Sequence, residues 1–351
     1  MAVATAVSSH DIREARKEHS KLRERDLADK LGISEGQLVA AHVGEGVTRI
    51  TAELDPLFAA FERLGEVMAL TRNPSCVIEK VGVYENYTSG QHASMVVNEN
   101  IDLRMFPRIW VSAFAVEKQT DKGVRRSIQV FDAAGDAVHK VHLRDASNLD
   151  QWDENVAQLR LKEQSDTLEV ETREPTEGAK GTADQREKLC EEWDKLTDTH
   201  QFMSLTRKLK INRLGAYRIA GAPYTRALAP KSVEALLHKA SEKSVPLMIF
   251  VGNRGCIEIH SGPVERIVEM GPWINVLDKG HDLHLRMDHI AEVYAVTKNT
   301  RRGPAISVEA FDAEGALIIQ FFGVLREETA AEAWNALITD IEQDFTEVAA
   351  Q

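Results

Sequence analysis

Two segments of this chain nearly duplicate each other, SIQVFDAAGDAV at 127–138 and SVEAFDAEGALI at 307–318, separated by an offset of 180 residues. The same offset aligns Phe114-Ala115-Val116 with Tyr294-Ala295-Val296, Lys118 with Lys298, Cys76 with Cys256, Asn73 with Asn253 and Met68 with Met248. So many matches in one register mark an internal duplication. One supersecondary design must then serve both copies, whatever the local propensities favour. At 351 residues the chain also exceeds what one hydrophobic core usually supports. Farther out, Trp152 aligns with Trp334, and Asp102-Leu103-Arg104-Met105 with His284-Leu285-Arg286-Met287, only at an offset of 182, which implies small insertions. Between the copies, residues 163–185 are polar, charged and broken by Pro175, Gly178 and Gly181, the composition of an exposed linker. The expected modules are 1–162 and 186–351.

Each copy reads as helix, then strands, then a closing helix. In DIREARKEHSKLRERDLADKLG, Leu22, Leu27 and Leu31 recur at helical spacing and Gly32 is a natural stop. A second helix follows at SEGQLVAAH, with Ser34 placed to accept from its first-turn amides. VMALT, CVIEKVGVY, MVVNENIDLRMF, WVSAFAVEK, RRSIQVFDAAG and DAVHKVHL alternate with a period of about two and read as strands. AAGD and its counterpart AEGA make hairpin tips. Closing helices are expected near 149–160 and 327–347, with Trp152 and Trp334 packing onto the sheet. The fold class is α+β: a tandem duplication of two modules, each a large antiparallel sheet flanked by helices.

A formal charge of −12 gives no support to non-specific nucleic-acid binding, although a local basic cleft could hold a small anion. No apolar run reaches membrane-spanning length, and the start lacks the order of a signal peptide, so a cytoplasmic protein is expected. Cys76, Cys190 and Cys256 form no CxxC pair, which suggests neither a zinc site nor a disulfide framework; they read as reduced packing thiols. GxSxG, HExxH and Walker motifs are absent, as is a glycine-rich dinucleotide turn, leaving hydrolytic and nucleotide chemistry without support.

His200 is a candidate with two open readings. If its segment is helical, Trp193, Leu196, His200, Met203 and Arg207 share a stripe, and an imidazole among apolar neighbours with arginines nearby suits an iron porphyrin. Alternatively it is a hydrogen-bonded histidine at a helix start made by Thr197 or Asp198. Arg104 alternates with Ile101, Leu103 and Met105 and shares the other face with Asp102 and Phe106. It is either a solvated strand residue or, facing a cleft, a hydrogen-bond donor to an iron ligand or a carboxylate. His281 and His284 project to opposite strand faces, which with His289 argues against a metal site. His139 and His142 do the same and read as surface residues.

LTDTHQF at 196–202, AYRIAG at 216–221, GNRGCIEIHSGPV at 252–264, GPWINVLDKGHDLHLRMDHIAEVYAVTK at 271–298 and the paired FDA-x-G hairpins closely resemble the bacterial HemS/ChuS/HmuS/PhuS haem-utilisation family, over nearly the whole chain. The resemblance implies a haem cleft, with His200 of the TDxHQF motif as the axial ligand to haem b iron. It implies Arg104 on the distal side as the catalytic residue, Phe106 beside the porphyrin, and Arg213, Lys298 and Gln320 as pocket or propionate contacts. Leu325 stands where many relatives have an arginine, with Arg326 one place later, so that contact is not carried over. Members of the family are described as haem-degrading enzymes or as haem carriers. The first role needs oxygen and a donor such as ascorbate or an NADPH-linked reductase. Either implies haem delivered from an inner-membrane transporter, and the second a separate haem oxygenase.

Overall fold

The structure, a computed structural model, describes residues 7–324 and 328–346. Leu325 and Arg326 therefore lie outside the described residues. The chain divides into two compact units. The first runs to Arg72, continues over Glu79–Glu174 and includes Gly252–Glu258; the second includes Asn73–Ile78, Pro175–Val251 and the chain from Ile259 on.

The first unit opens with α1 (Ser9–Glu18), α2 (Glu24–Leu31) and α3 (Glu35–Ala40). Gly32 ends α2 in the left-handed region at φ 66°, and Ser34 and Gln37 form a capping box on α3. Then come β1 (Val47–Ile50), α4 (Leu54–Arg63), β2 (Gly65–Arg72), β3 (Cys76–Gly82), β4 (Tyr87–Thr88), β5 (Ser94–Val97) and β6 (Asp102–Met105). β7 (Ser112–Thr120), β8 (Gly123–Phe131), β9 (Ala137–Ser147) and α5 (Trp152–Leu159) complete it. β1, β7, β8, β9 and β2 pair antiparallel in that order, and β4, β5 and β6 form a meander. The stretch read as one strand, MVVNENIDLRMF, is two, because the Asn98 side-chain Oδ1 accepts from the backbone amides of Asn100 and Ile101 and turns the chain. α4 was not foreseen; its Leu54, Leu57, Phe58 and Phe61 are buried on one face in the core with Trp152.

The second unit repeats the plan with α6 (Arg186–Trp193), α7 (Gln201–Leu209), α8 (Arg213–Ala220), β10 (Thr225–Leu228), α9 (Ser232–Glu242), β11 (Leu247–Gly252) and β12 (Cys256–Gly262). β13 (Ile267–Met270), β14 (Trp273–Asp278), β15 (His281–Arg286), β16 (Glu292–Thr300), β17 (Gly303–Phe311), β18 (Leu317–Gly323) and α10 (Glu328–Phe345) follow. β10, β16, β17, β18 and β11 pair antiparallel, as do β13, β14 and β15. Trp334 is fully buried, its indole donating to Ile306 O at 2.9 Å. Among the described residues, no helix is long and apolar enough to cross a membrane.

The 180-residue register extends farther than the sequence suggested. Both hairpins carry an irregularity at the same place, and Asp132 and Asp312 each make the same 3.0 Å bond across the tip. Phe106 N donates to Gly255 O and Arg286 N to Ser75 O, each at 2.9 Å. Arg104 faces Met95 as His284 faces Asn275, so the structural equivalent of Arg104 is His284, and the insertion inferred there from the 182 offset does not exist.

One histidine expectation changes. His139 and His142 do lie on opposite faces, but His139 is only 1% exposed, inside the core, and burial pulls half-buried His142 down to about 4. His281 is buried and stacks on His260 with centroids 3.9 Å apart.

Candidate functional site

α6 stops at Trp193 and α7 starts at Gln201, so the continuous stripe imagined through His200 does not form. Trp193 turns inward and donates to Thr297 O at 2.9 Å. His200 instead occupies the residue before α7. Asp198 Oδ1 accepts its backbone N–H at 2.8 Å and meets its ring Nδ1 at 2.7 Å. The backbone and ring N–H groups of His200 hold the Asp198 carboxyl below its usual range, so it is ionised and can only accept. Nδ1 therefore carries a hydrogen, so in the neutral imidazole the lone pair is on Nε2. The ring is 94% exposed, and Nε2 has no partner among the described residues. The helix-start reading and the ligand reading of His200 are thus compatible: the cap fixes the tautomer and aims the free nitrogen outward.

One turn on, Met203 shares the face of His200. Its sulfur lies 3.6 Å from Arg213 Nη2. Asn212 caps α8 by accepting from Gly215 N at 2.9 Å, which sets Arg213 in the first helical turn above the sheet. Below it, Lys298 on β16 and Ser307 and Glu309 on β17 share one sheet face. Arg213 Nη1 reaches Glu309 Oε2 at 2.7 Å, and Lys298 Nζ reaches Oε1 at 2.9 Å. Tyr217 and Ser307 each donate to Oε1 at 2.8 Å. Lys298 also lies 4.8 Å from the centre of the Phe202 ring. Burial alone would raise the Glu309 carboxyl, but Lys298 and Arg213 outweigh it and hold it well below the usual range. Two cations on one carboxylate leave an excess positive charge. It resides at Arg213, because Lys298 is enclosed and fully engaged whereas the Arg213 side chain is 26% exposed.

Gln320 on β18 lies opposite Glu309 on one side and Phe250 on the other. Phe250 and Phe322 meet edge to face at 5.1 Å, giving a half-buried apolar shelf that sequence reading missed. The signal was present: LMIFVG and LIIQFFG are apolar on both faces, as strands covered on both sides are.

Arg104 and Phe106 belong to the first unit, while His200, Arg213, Lys298 and Gln320 belong to the second. Ile101, Leu103 and Met105 are fully buried, and Asp102, Arg104 and Phe106 take the other face as alternation predicts. Arg104 Nη1 pairs with the Asp102 carboxylate and donates to Leu103 O at 3.0 Å. A cavity of about 580 Å³ in the first unit, lined by Arg49, Trp110, Phe114 and the start of α4, includes none of the six candidates.

The first unit carries a counterpart of the Arg213 cluster with its charges exchanged. Glu35 takes the first position of α3 after its cap, as Arg213 does in α8, and it pairs with Arg72 and Lys140. Lys140 lies opposite Gln129 and Leu70 as Gln320 lies opposite Glu309 and Phe250. Burial opposes ionisation of Glu35, but Lys140 and Arg72 bring it to about 2. Arg23 precedes α2 where His200 precedes α7, so this counterpart has no imidazole.

Comparison with known proteins places these features in one family. The family model of the haemin-degrading HemS.ChuX domain matches twice, at residues 32–159 and 210–341. The chain is 38% identical to the hemin transport protein HmuS of Yersinia pestis over 311 residues, covering 88% of this chain and 90% of that protein. The crystal structure of holo-PhuS, a heme-binding protein from Pseudomonas aeruginosa, superposes with a TM-score of 0.89 at 38% identity, covering 97% of this chain and 98% of that one. ChuS, described as an E. coli heme oxygenase, gives a TM-score of 0.84 at 29% identity, covering 94% and 99%. The duplicated module, its register and these matches together establish that the chain belongs to the haem-binding HemS/ChuS/HmuS/PhuS family.

Proposed function

We propose that the chain takes up haem in the cytoplasm through His200 and opens the macrocycle oxidatively, releasing iron after haem import. The observation that carries this reading is the unpaired Nε2 of His200, its tautomer set by Asp198, on the same helix face as Met203, whose sulfur lies 3.6 Å from Arg213 Nη2 of α8. A neutral imidazole nitrogen suits the iron, the Phe250–Phe322 shelf suits an apolar ring face, and the positive excess at Arg213 suits a propionate. When bound, haem is both the substrate and the redox-active group, with electrons from ascorbate or an NADPH-linked reductase. Lys298 neutralises Glu309 and so frees Arg213 to face an anion. Gln320 offers its amide at the edge of the shelf. Arg104 keeps guanidinium N–H groups beyond those given to Asp102 and Leu103, and these can donate to an oxygen atom or an anion. Phe106, on the same strand face, offers an apolar contact beside it.

A second reading is a carrier that receives haem from an inner-membrane transporter and passes it to a separate oxygenase. The 94% exposure of His200 favours it, since an exposed ligand is easily surrendered, and so does the hemin transport name of the Yersinia relative. Incubating the haem complex with ascorbate or a reductase, in the presence of catalase, separates the two. Loss of the Soret band with release of iron supports degradation; an intact Soret band and haem transfer to an added oxygenase support the carrier.

A further inference from the structure

Trp193 ends α6 fully buried, and its indole is the hub of a group of rings in the second unit. Phe202, two residues after His200, meets it edge to face with ring centres 4.7 Å apart, and Tyr224 meets it at 5.5 Å. Tyr217 lies 6.2 Å away. Phe202 is buried, whereas Tyr224 is half-buried and donates its hydroxyl to Oδ1 of the exposed Asp194 at 2.8 Å. The rings thus run from the start of α7, which His200 precedes, to solvent.

The duplication supplies an internal control. Thr297 N donates to Tyr224 O at 2.8 Å as Glu117 N donates to Gly46 O at 2.7 Å, so the counterpart of Tyr224 is Gly46. The first copy has no phenylalanine, tyrosine or tryptophan before Phe58, so α1, α2 and α3 hold no counterpart of Trp193 or Phe202 either. The helices and sheet therefore form without these rings. They occur only in the copy that carries His200.

Indole and phenol are the aromatic side chains that surrender an electron most readily, and an intervening benzene ring shortens the gap that the electron crosses. A tyrosine loses its proton along with the electron, so it needs a base at its hydroxyl. Tyr224 has one in Asp194, whose carboxylate meets water. Tyr217 is the wrong carrier: Lys298 Nζ lies 2.9 Å and Arg213 Nη1 3.4 Å from its hydroxyl, and two cations oppose the loss of an electron there. Trp193 instead donates its N–H to the Thr297 carbonyl at 2.9 Å, and the negative end of that dipole favours a positive indole.

We propose that Phe202, Trp193 and Tyr224 form a path that draws oxidising equivalents out of the haem site to solvent, so that peroxide arising during oxygen chemistry does not damage the site. The path rests on the haem reading of His200. The oxidant is hydrogen peroxide, which takes two electrons from the haem complex and, with two protons, becomes two waters. Trp193 returns one electron to the oxidised haem across Phe202. Tyr224 then reduces the indole, and its phenolic proton passes to Asp194. A reductant of the ascorbate class supplies one electron at the surface, the phenoxyl recovers its proton from Asp194, and the reductant's own proton goes to solvent. Two such passages balance one peroxide.

The test uses the full chain carrying Cys190→Ser, which removes the half-buried thiol near Tyr224. It is loaded with haem, then treated with hydrogen peroxide and a nitroso spin trap before peptide mapping. Expected are a Soret band that reports bound haem and trap attached at Tyr224, with none at Tyr87, which is half-buried in the first unit. Trp193→Phe keeps an apolar ring in the core and should retain the Soret band but lose the Tyr224 adduct. Asp194→Asn changes only an exposed side chain and should lower the adduct with the fold and the Soret band intact; it decides the matter if Trp193→Phe does not fold. Tyr224→Phe should lose its haem absorbance faster under peroxide. A haem complex with its Soret band and no adduct at Tyr224 overturns the proposal alone, as does labelling indifferent to these substitutions or equal at Tyr87. A chain that gives no Soret band overturns the haem reading as well.

Discussion

Lys298 Nζ lies 2.9 Å from Glu309 Oε1, with both side chains shut away from solvent, and that pair sets the charge of the neighbouring Arg213. Removing one member of a buried ion pair strands the other and costs about 3–5 kcal/mol. Glu309→Gln is expected to lower stability by that amount in urea unfolding, because two cations lose their carboxylate at once. Replacement of Lys298 by Met should cost stability and weaken haem binding together, since Glu309 would then draw Arg213 inward.

His200→Ala should leave stability within about 0.5 kcal/mol, as expected for an exposed side chain, yet change the Soret spectrum of the haem complex. Asp198→Asn can no longer force the hydrogen onto Nδ1. It should weaken haem affinity about 10–100-fold, the range for partners behind a metal-bound histidine. Haem titrations followed by absorbance check both, and an unchanged spectrum in His200→Ala would sink the ligand assignment.

For Arg104→Ala the expected loss is in turnover rather than in affinity. Its guanidinium is already braced by Asp102, so Asp102→Asn should reproduce part of the defect by letting the arginine wander. Dissociation constants and single-turnover rates measured on the same preparations separate the two effects.

The two buried carboxyls near opposite ends of the pH scale give opposite limbs. Burial raises Glu258 from 4.5 to about 8, so the folded chain keeps a proton that the unfolded chain releases, and stability falls as pH rises through that window. Glu258→Gln should therefore stabilise the protein by roughly 3 kcal/mol at pH 7. Glu35, lowered from 4.5 to about 2, contributes stability that is present above 4.5 and lost as pH falls toward 2. Denaturant midpoints across pH should show Glu258→Gln flattening the upper limb and Glu35→Gln the lower one.

The duplication, the FDA-x-G hairpins, the Ser34 cap and the Gly32 stop were all legible because each is a local signature. α4 was not, since Pro56 looks like a helix breaker, although a proline in the first turn removes an amide that has no intrahelical partner. His139 was misplaced because alternation gives opposite faces without saying that both are covered. The Lys298–Glu309 pair escaped notice because Glu309 gains its meaning from Arg213, on a helix 96 residues away in sequence. His200 was singled out through a continuous helix that does not exist. What singles it out is a cap motif, Asp198 two residues before it.

Tandem copies within one gene invite recombination, and here the exchanged charges act against it. A hybrid joining the second copy's helices to the first copy's sheet would set Arg213 against Arg72 and Lys140. The first copy's sheet thus rejects the second copy's helices by like-charge repulsion. Descendants that shuffled their halves would lose stability at that contact, so the two copies are held to separate evolutionary paths.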